Sequence, residues 1–444
     1  MRAARIAING QLASDKRYGG VQQVLVGLVN ALGQLEGDTE EYVIIGPYAE
    51  LDWLEPHIGR NQRLISGPKL TNTPIKKRSS ADLFKSILRT LRPFVAENSI
   101  KLLSILHKPA RIWPEVPVSD GFYERLGCQV IHFPFQEITL CSLPTIYNPH
   151  DLQHLHYPQF FTPTDITWRN RTYSTGCRYA QTVVVASQWV KDDLVDHYRL
   201  SPNKIQVIPW APPTQVFQLP LEENLSVVRE KYDLKLPFAF YPSVTWEHKN
   251  HIRLLRALAI LRDRHDLIVN LVCTGEKYPR FWPRIQEEIV ALRLQAQVEF
   301  LGNVTPETLR AIYRLAQFVV IPTLFEAASG PMFEAWADSV PVVCSNVTSL
   351  PEQAGDAALL FDPFSTDAIA NALLRMVTAQ SLREEYIRRG KRRLKDFSWE
   401  RTAKTYRAVY RRAARFPLSE EDRWLLSWDW MRKPDRRDNK ASDE

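Results

Sequence analysis

The sequence predicts an α/β protein made of two doubly wound domains, and three observations carry that prediction. Short apolar, β-branched runs alternate with amphipathic helical stretches in both halves, as in βαβ units whose parallel strands are buried on both faces. The alternation halts once, at Pro209-Trp210-Ala211-Pro212-Pro213 with Pro220 beyond, and then restarts, which marks a linker. A length of 444 residues exceeds one ordinary core and suits two. The domains read as 1–213 and 214–396, followed by a last helix over 397–416 and a basic, tryptophan-containing tail over 417–444.

In the first half, residues 5–8 form a strand, Gly19-Gly20 a turn, and 21–35 a helix with apolar residues on one face. Strands follow at 42–45, 130–133, 144–147, 182–186 and 205–208, with helices over 168–179 and from Ser187, whose hydroxyl suits a cap. Paired glycines let the backbone approach a ligand at a helix start, but no GxGxxG follows the first strand, so the dinucleotide oxidoreductase reading lacks its main support. The second half gives strands at 238–241, 268–273, 298–301, 318–322 and 340–344. Its helices are read over 250–262, to about 292, over 306–315 and over 367–377.

Composition narrows the class. Five scattered cysteines without a CxxC pair point to a reducing cytoplasm rather than to zinc or redox chemistry. No signal-peptide core and no membrane span are expected. The net charge of +7 is concentrated between Arg60 and Arg111, where ten basic residues from Arg63 to Lys108 face only Asp82 and Glu97. Within it Leu83, Phe84, Ile87, Leu88 and Leu91 share a helical face. The segment reads either as a surface helix or as a peripheral contact with anionic membrane, on its inner face. It carries no nucleic-acid reading motif.

The stretch Phe325 to Ala335 is the candidate site. An apolar strand leads into Ser329-Gly330-Pro331, and Pro331 suits the first position of a helix, where its missing N–H costs nothing. A helix start at the carboxyl end of a buried parallel strand offers free N–H groups and partial positive charge to a phosphate. In the first half, the polar cluster Asn148 to Pro158 follows a strand in the same way. Its His150, His154 and His156 lack metal-ligand spacing, so a catalytic loop is preferred to a metal site.

These residues resemble the retaining glycosyltransferases of family four. The resemblance rests on Tyr241-Pro242, Trp246-Glu247-His248-Lys249-Asn250-His251, and Glu326 and Glu334 with seven residues between them. It continues through Pro341 to Asn346, Ser349-Leu350-Pro351-Glu352 and Gly355 to Ala358, and thins toward Gly19-Gly20 and His150 to His154. It implies the GT-B fold, two Rossmann-like domains across a cleft, with the last helix returning to the first. The nucleotide-diphosphate sugar, GDP- or UDP-linked, would sit mainly on the second domain and a glycan or glycolipid acceptor on the first. Glu326, His150 and Lys249 would then be catalytic. Gly19, Gly20, His248, Lys249, Ala328, Ser329, Gly330, Pro331 and Glu334 would bind the donor, Lys249 at the diphosphate and Glu334 at the ribose. No metal or other cofactor is implied, and the expected setting is cytoplasmic surface-polysaccharide synthesis by a hexosyltransferase, with mannose one candidate sugar.

Two departures bear on specificity. Ala327 and Ser329 stand where glycines are usual, which narrows the sugar pocket, and Val244 replaces an arginine, leaving His248 or Arg253 to assist Lys249. Reading the two glutamates as a glycosidase pair is disfavoured, because Glu334 lies on a helix beside an anion site. A non-catalytic scaffold or sugar-binding protein and a sugar-nucleotide epimerase of the same shape are the alternatives to a transferase.

Overall fold

The computed structural model describes residues 4–12, 20–36, 40–68, 116–212 and 223–429. Gly19, most of the basic segment, and Trp430 lie outside them. Seven parallel strands form the first sheet: β1 (Arg5–Asn9), β2 (Glu41–Gly46), β3 (Gln62–Ser66), β4 (Val130–Phe133), β5 (Thr145–Tyr147), β6 (Thr182–Val185) and β7 (Ile205–Val207). Their spatial order is β3-β2-β1-β4-β5-β6-β7. Six parallel strands form the second: β8 (Phe238–Pro242), β9 (Asn270–Thr274), β10 (Val298–Phe300), β11 (Phe318–Ile321), β12 (Val342–Ser345) and β13 (Ala358–Phe361), ordered β10-β9-β8-β11-β12-β13. Helices cover both faces of each sheet, so strands such as Val342–Ser345 are buried at every residue.

The strand order reverses between β1 and β4 in the first sheet and between β8 and β11 in the second. Chains leaving neighbouring strands at such a reversal pass to opposite faces, which opens a crevice at the strands' carboxyl ends. Everything in the candidate site hangs from these two places.

Helix Trp399–Ala413 starts with Ser398 accepting a hydrogen bond from the Arg401 N–H. It packs on the first sheet's side of the molecule, where Trp399, Ala403, Tyr406, Val409 and Tyr410 join the apolar cluster of β1, β2 and helix Gly20–Gln34. Gly27 permits this approach, since a Cβ there would meet the Trp399 ring at 2.1 Å. The Trp399 indole N–H and the Thr402 hydroxyl also donate to the linker carbonyls of Pro212 and Pro209. The tail continues as helix Glu420–Ser427, held by Arg411, which reaches Asp422 at 2.9 Å and Glu40 at 2.6 Å. As far as Asp429 it is therefore packed on its own fold. Among the described residues no helix is long and apolar enough to cross a membrane, and all five cysteines are buried and free.

Candidate active site

Lys249 follows β8 and Glu326 follows β11, the two strands at the reversal of the second sheet. Backbone bonds bring their loops together: the Leu324 N–H donates to the His248 carbonyl at 2.8 Å, and the Thr323 hydroxyl donates to the same oxygen. The Lys249 ammonium then meets a Glu326 carboxylate oxygen at 2.7 Å, with both side chains less than one-fifth exposed. His248 is buried, and burial together with the neighbouring Lys249 charge pushes its pKa well down, leaving the ring neutral. Arg253, one turn into helix His251–His265, donates to the Asn250 side chain at 3.0 Å.

The turn after Glu326 is fixed from outside. Thr348 donates to the Glu326 carbonyl at 2.7 Å and accepts from the Glu326 N–H at 3.0 Å, while Ser349 donates to the same carbonyl at 2.6 Å. Gln353 brackets Ser329, accepting from its N–H and donating to its carbonyl, each at 2.8 Å. Helix Gly330–Ala337 begins here with Pro331 in its first turn and no side-chain cap. Among the described residues, a Cβ built on Gly330 would meet nothing within 4 Å, so this helix start is open on that side. The Ser329 hydroxyl is buried without a hydrogen-bond partner among the described residues. Uncapped N–H groups, an ammonium and open space form an anion-binding arrangement.

Glu334 lies one turn further and is buried, one carboxylate oxygen accepting from the Tyr313 hydroxyl at 2.6 Å. Burial raises its pKa against the lowering effect of that bond. The helix is anchored beyond it by Arg310, which grips Asp338 with two nitrogens, at 2.8 and 3.2 Å, in an almost fully buried pair.

The first half presents aromatic rings to this loop. Phe325 sits among His156, Tyr157 and Trp189, with ring centroids at 5.5, 6.1 and 5.5 Å. The Tyr157 hydroxyl donates to the Leu324 carbonyl, Phe160 packs on the His248 ring, and Ala327 belongs to the first half's apolar cluster. Glu352 crosses in the other direction and accepts from the Gln188 and Trp189 N–H groups at 2.5 and 2.9 Å, capping helix Gln188–Tyr198. Burial raises the Glu352 pKa.

Of the residues read from the sequence, Lys249, Glu326, His248, Ala328, Ser329, Gly330, Pro331 and Glu334 are drawn together on the second sheet. Gly20 opens helix Gly20–Gln34 after β1. His150 follows β5 and its described contacts stay within residues 134–210: it donates to the Pro134 carbonyl at 3.0 Å and packs on Trp210. Its φ of 68° is unusual for a side-chain-bearing residue and marks a loop held against local preference. Burial lowers its pKa. Sequence reasoning missed Thr348, Gln353, Tyr313 and the seat of Phe325. The one signal available, for Thr348 and Gln353, was the mixed but mostly polar stretch Asn346 to Gln353 directly after a buried strand.

Comparisons with known proteins agree with this geometry. The model of the group 1 glycosyl transferases matches residues 226–393, and that of glycosyltransferase family 4 matches residues 18–211. The chain is 26% identical to O-antigen chain mannosyltransferase B of Escherichia coli over 75% of its own length and 84% of that protein's. It is also 26% identical to the O-antigen chain mannosyltransferase RfbU of Salmonella typhimurium, over 48% of its length and only 55% of that protein's. In structure it is similar to sucrose-phosphate synthase of Thermosynechococcus elongatus, with a TM-score of 0.65 at 18% identity, covering 92% of this chain and 98% of the other. The two family models lie one on each half and together take in most of the sequence, and the chain belongs to the group 1 glycosyltransferases of GT-B fold.

Proposed function

We propose that this glycosyltransferase moves a hexose, with mannose the leading candidate, from a nucleoside-diphosphate sugar to a growing surface glycan, keeping the anomeric configuration. The observation that carries the reading is the Lys249–Glu326 pair beside the open helix start at Gly330. An arriving diphosphate competes with Glu326 for the ammonium. Lys249 and the N–H groups of helix Gly330–Ala337 then stabilise the charge that grows on the leaving phosphate, inside a cleft where such contacts are strong. Glu326, released, accepts from a hydroxyl of the donor sugar, and the second oxygen of Glu334 accepts from the ribose. No metal is needed at the phosphates if Lys249 and the helix start replace it as fixed positive groups.

Retention follows if the acceptor attacks from the leaving-group face and a phosphate oxygen takes its proton, so that no side-chain base is needed. The neutral His150 ring lines the acceptor side. Mannose is favoured because both curated relatives described above are named O-antigen mannosyltransferases. The peripheral membrane contact rests on the basic segment outside the described residues.

The test is incubation of the purified protein with a panel of GDP- and UDP-sugars and a lipid-linked glycan acceptor. Transfer from GDP-mannose giving an α-linked product is expected. A β-linked product would overturn retention, and turnover of a different sugar alone would overturn the mannosyl assignment.

A further inference from the structure

His156, Asp193 and His197 meet outside the donor site, although 37 and 41 positions separate His156 from the other two. Helix Gln188–Tyr198 supplies Asp193 and His197 one turn apart, and the short helix Gln153–His156 supplies His156. His156 Nε2 lies 2.7 Å and His197 Nδ1 3.1 Å from the same Asp193 oxygen, and the three ligand atoms all fall within 4.8 Å of one another. Ligands around a tetrahedral zinc stand about 3.4 Å apart, given metal bonds of about 2.1 Å. Small outward shifts of two partly exposed imidazoles reach that spacing, because His156 and His197 are 29% and 39% exposed while Asp193 is held at 5%.

Hydrogen bonding alone does not account for the cluster. His156 Nε2 donates to one Asp193 oxygen and His197 Nδ1 donates to the Asp193 backbone carbonyl at 3.0 Å, yet the other Asp193 oxygen is buried with no hydrogen-bond partner among the described residues. A buried, unpaired carboxylate oxygen carries a desolvation cost that a cation would relieve.

We infer that His156, Asp193 and His197 form a zinc site that braces the first half of the cleft. Each imidazole binds through the nitrogen now facing Asp193, its proton moving to the other ring nitrogen, so a neutral ring changes tautomer without losing a proton. Two imidazoles with one carboxylate favour zinc over magnesium or calcium, and solvent supplies the remaining ligand. The bound ion would tie His156, on whose ring Phe325 rests, to the helix that Glu352 caps. The ion is structural, and the inference is independent of the transfer reaction.

The test uses the full chain, stripped with a chelator and then freed of it. Titration with zinc against a chromophoric competitor is expected to give one zinc per chain. Removing a ligand should weaken binding more than the ~100-fold that loss of a supporting residue costs, in His156→Ala and in His197→Ala. Cobalt(II) in its place should show four-coordinate visible absorption without a thiolate charge-transfer band. Zinc should also raise the unfolding temperature of the wild type and leave that of His197→Ala unchanged, a readout available even if His156→Ala folds poorly. Equal zinc binding by wild type and the His156→Ala/His197→Ala double variant would overturn the site, as would thiolate bands.

Discussion

The two sheets follow one plan and end in opposite chemistry. At the reversal of the second sheet, backbone and charge converge: Lys249, Glu326 and an open helix start, held by Thr348, Ser349 and Gln353. The first half instead offers rings and neutral histidines, and beneath them lies a closed polar chain. There His132 donates to Asn148 and accepts from Tyr410, each at 2.8 Å, while Asn148 donates to Tyr406. The second sheet has a buried histidine too, but both ring nitrogens of His251 lack hydrogen-bond partners among the described residues. The contrast teaches where each half spends its polar groups. On the proposed reading the second half aims them at a charged ligand, whereas the first uses them to fix the loop that carries His150 and the helix Trp399–Ala413.

The largest test of this contrast is Lys249→Ala, expected to lower kcat by about 10²–10³-fold, as loss of one preorganised charge-stabilising group does. Steady-state transfer assays at saturating donor check it, and an unchanged rate would move the anion site elsewhere. Next, His132→Phe should destabilise the fold by about 2–4 kcal/mol, because Asn148 and Tyr410 lose their partner inside the protein. His251→Phe strands no partner and should stay within about 1 kcal/mol of wild type. Urea titration of both variants decides whether the two histidines differ as the contacts imply.

Acid gives a third comparison. Burial lowers the His132 pKa to about 4 and the His251 pKa to about 3, from 6.5. A histidine depressed in the folded state stabilises above its unfolded pKa, and that contribution is lost as the pH falls. Stability should therefore decline from about pH 6.5 toward pH 4, with His132 alone accounting for about 3 kcal/mol. Thermal unfolding across that range should show a shallower decline in His132→Phe. A small loss is expected of Glu352→Gln, which keeps one acceptor and removes the charge at the helix Gln188–Tyr198 start, costing about 1 kcal/mol. Its unfolding midpoint should drop slightly.

How much the sequence disclosed depended on position in each sheet. Central strands such as Phe318–Ile321 read clearly, because burial on both faces requires continuous apolar residues. The two strands that went unread, Gln62–Ser66 and Ala358–Phe361, are both sheet edges, although the edge strands Ile205–Val207 and Val298–Phe300 were read; Gln62–Ser66 is only partly buried along its length, which dilutes its pattern. The strand read at 268–273 forms at Asn270–Thr274, and Ile268 is exposed. The helix read from 168 begins at Pro163, because the Thr162–Asp165 capping box lies ahead of the apolar positions. In the site, Lys249 and the 326–334 stretch were legible as motif and turn chemistry. Gln353 and the aromatic seat of Phe325 were not, since their partners lie far along the chain and only the fold brings them close.

That seat limits how such enzymes can be recombined. Phe325 immediately precedes Glu326 yet rests on His156, Tyr157 and Trp189, and Ala327 completes an apolar cluster of the other half. A chimera joined at the 209–213 linker would thus carry a donor loop shaped for a wall it no longer meets. On the proposed reading, moving this loop between relatives means moving the three rings with it, so the unit of inheritance is the cleft rather than the domain.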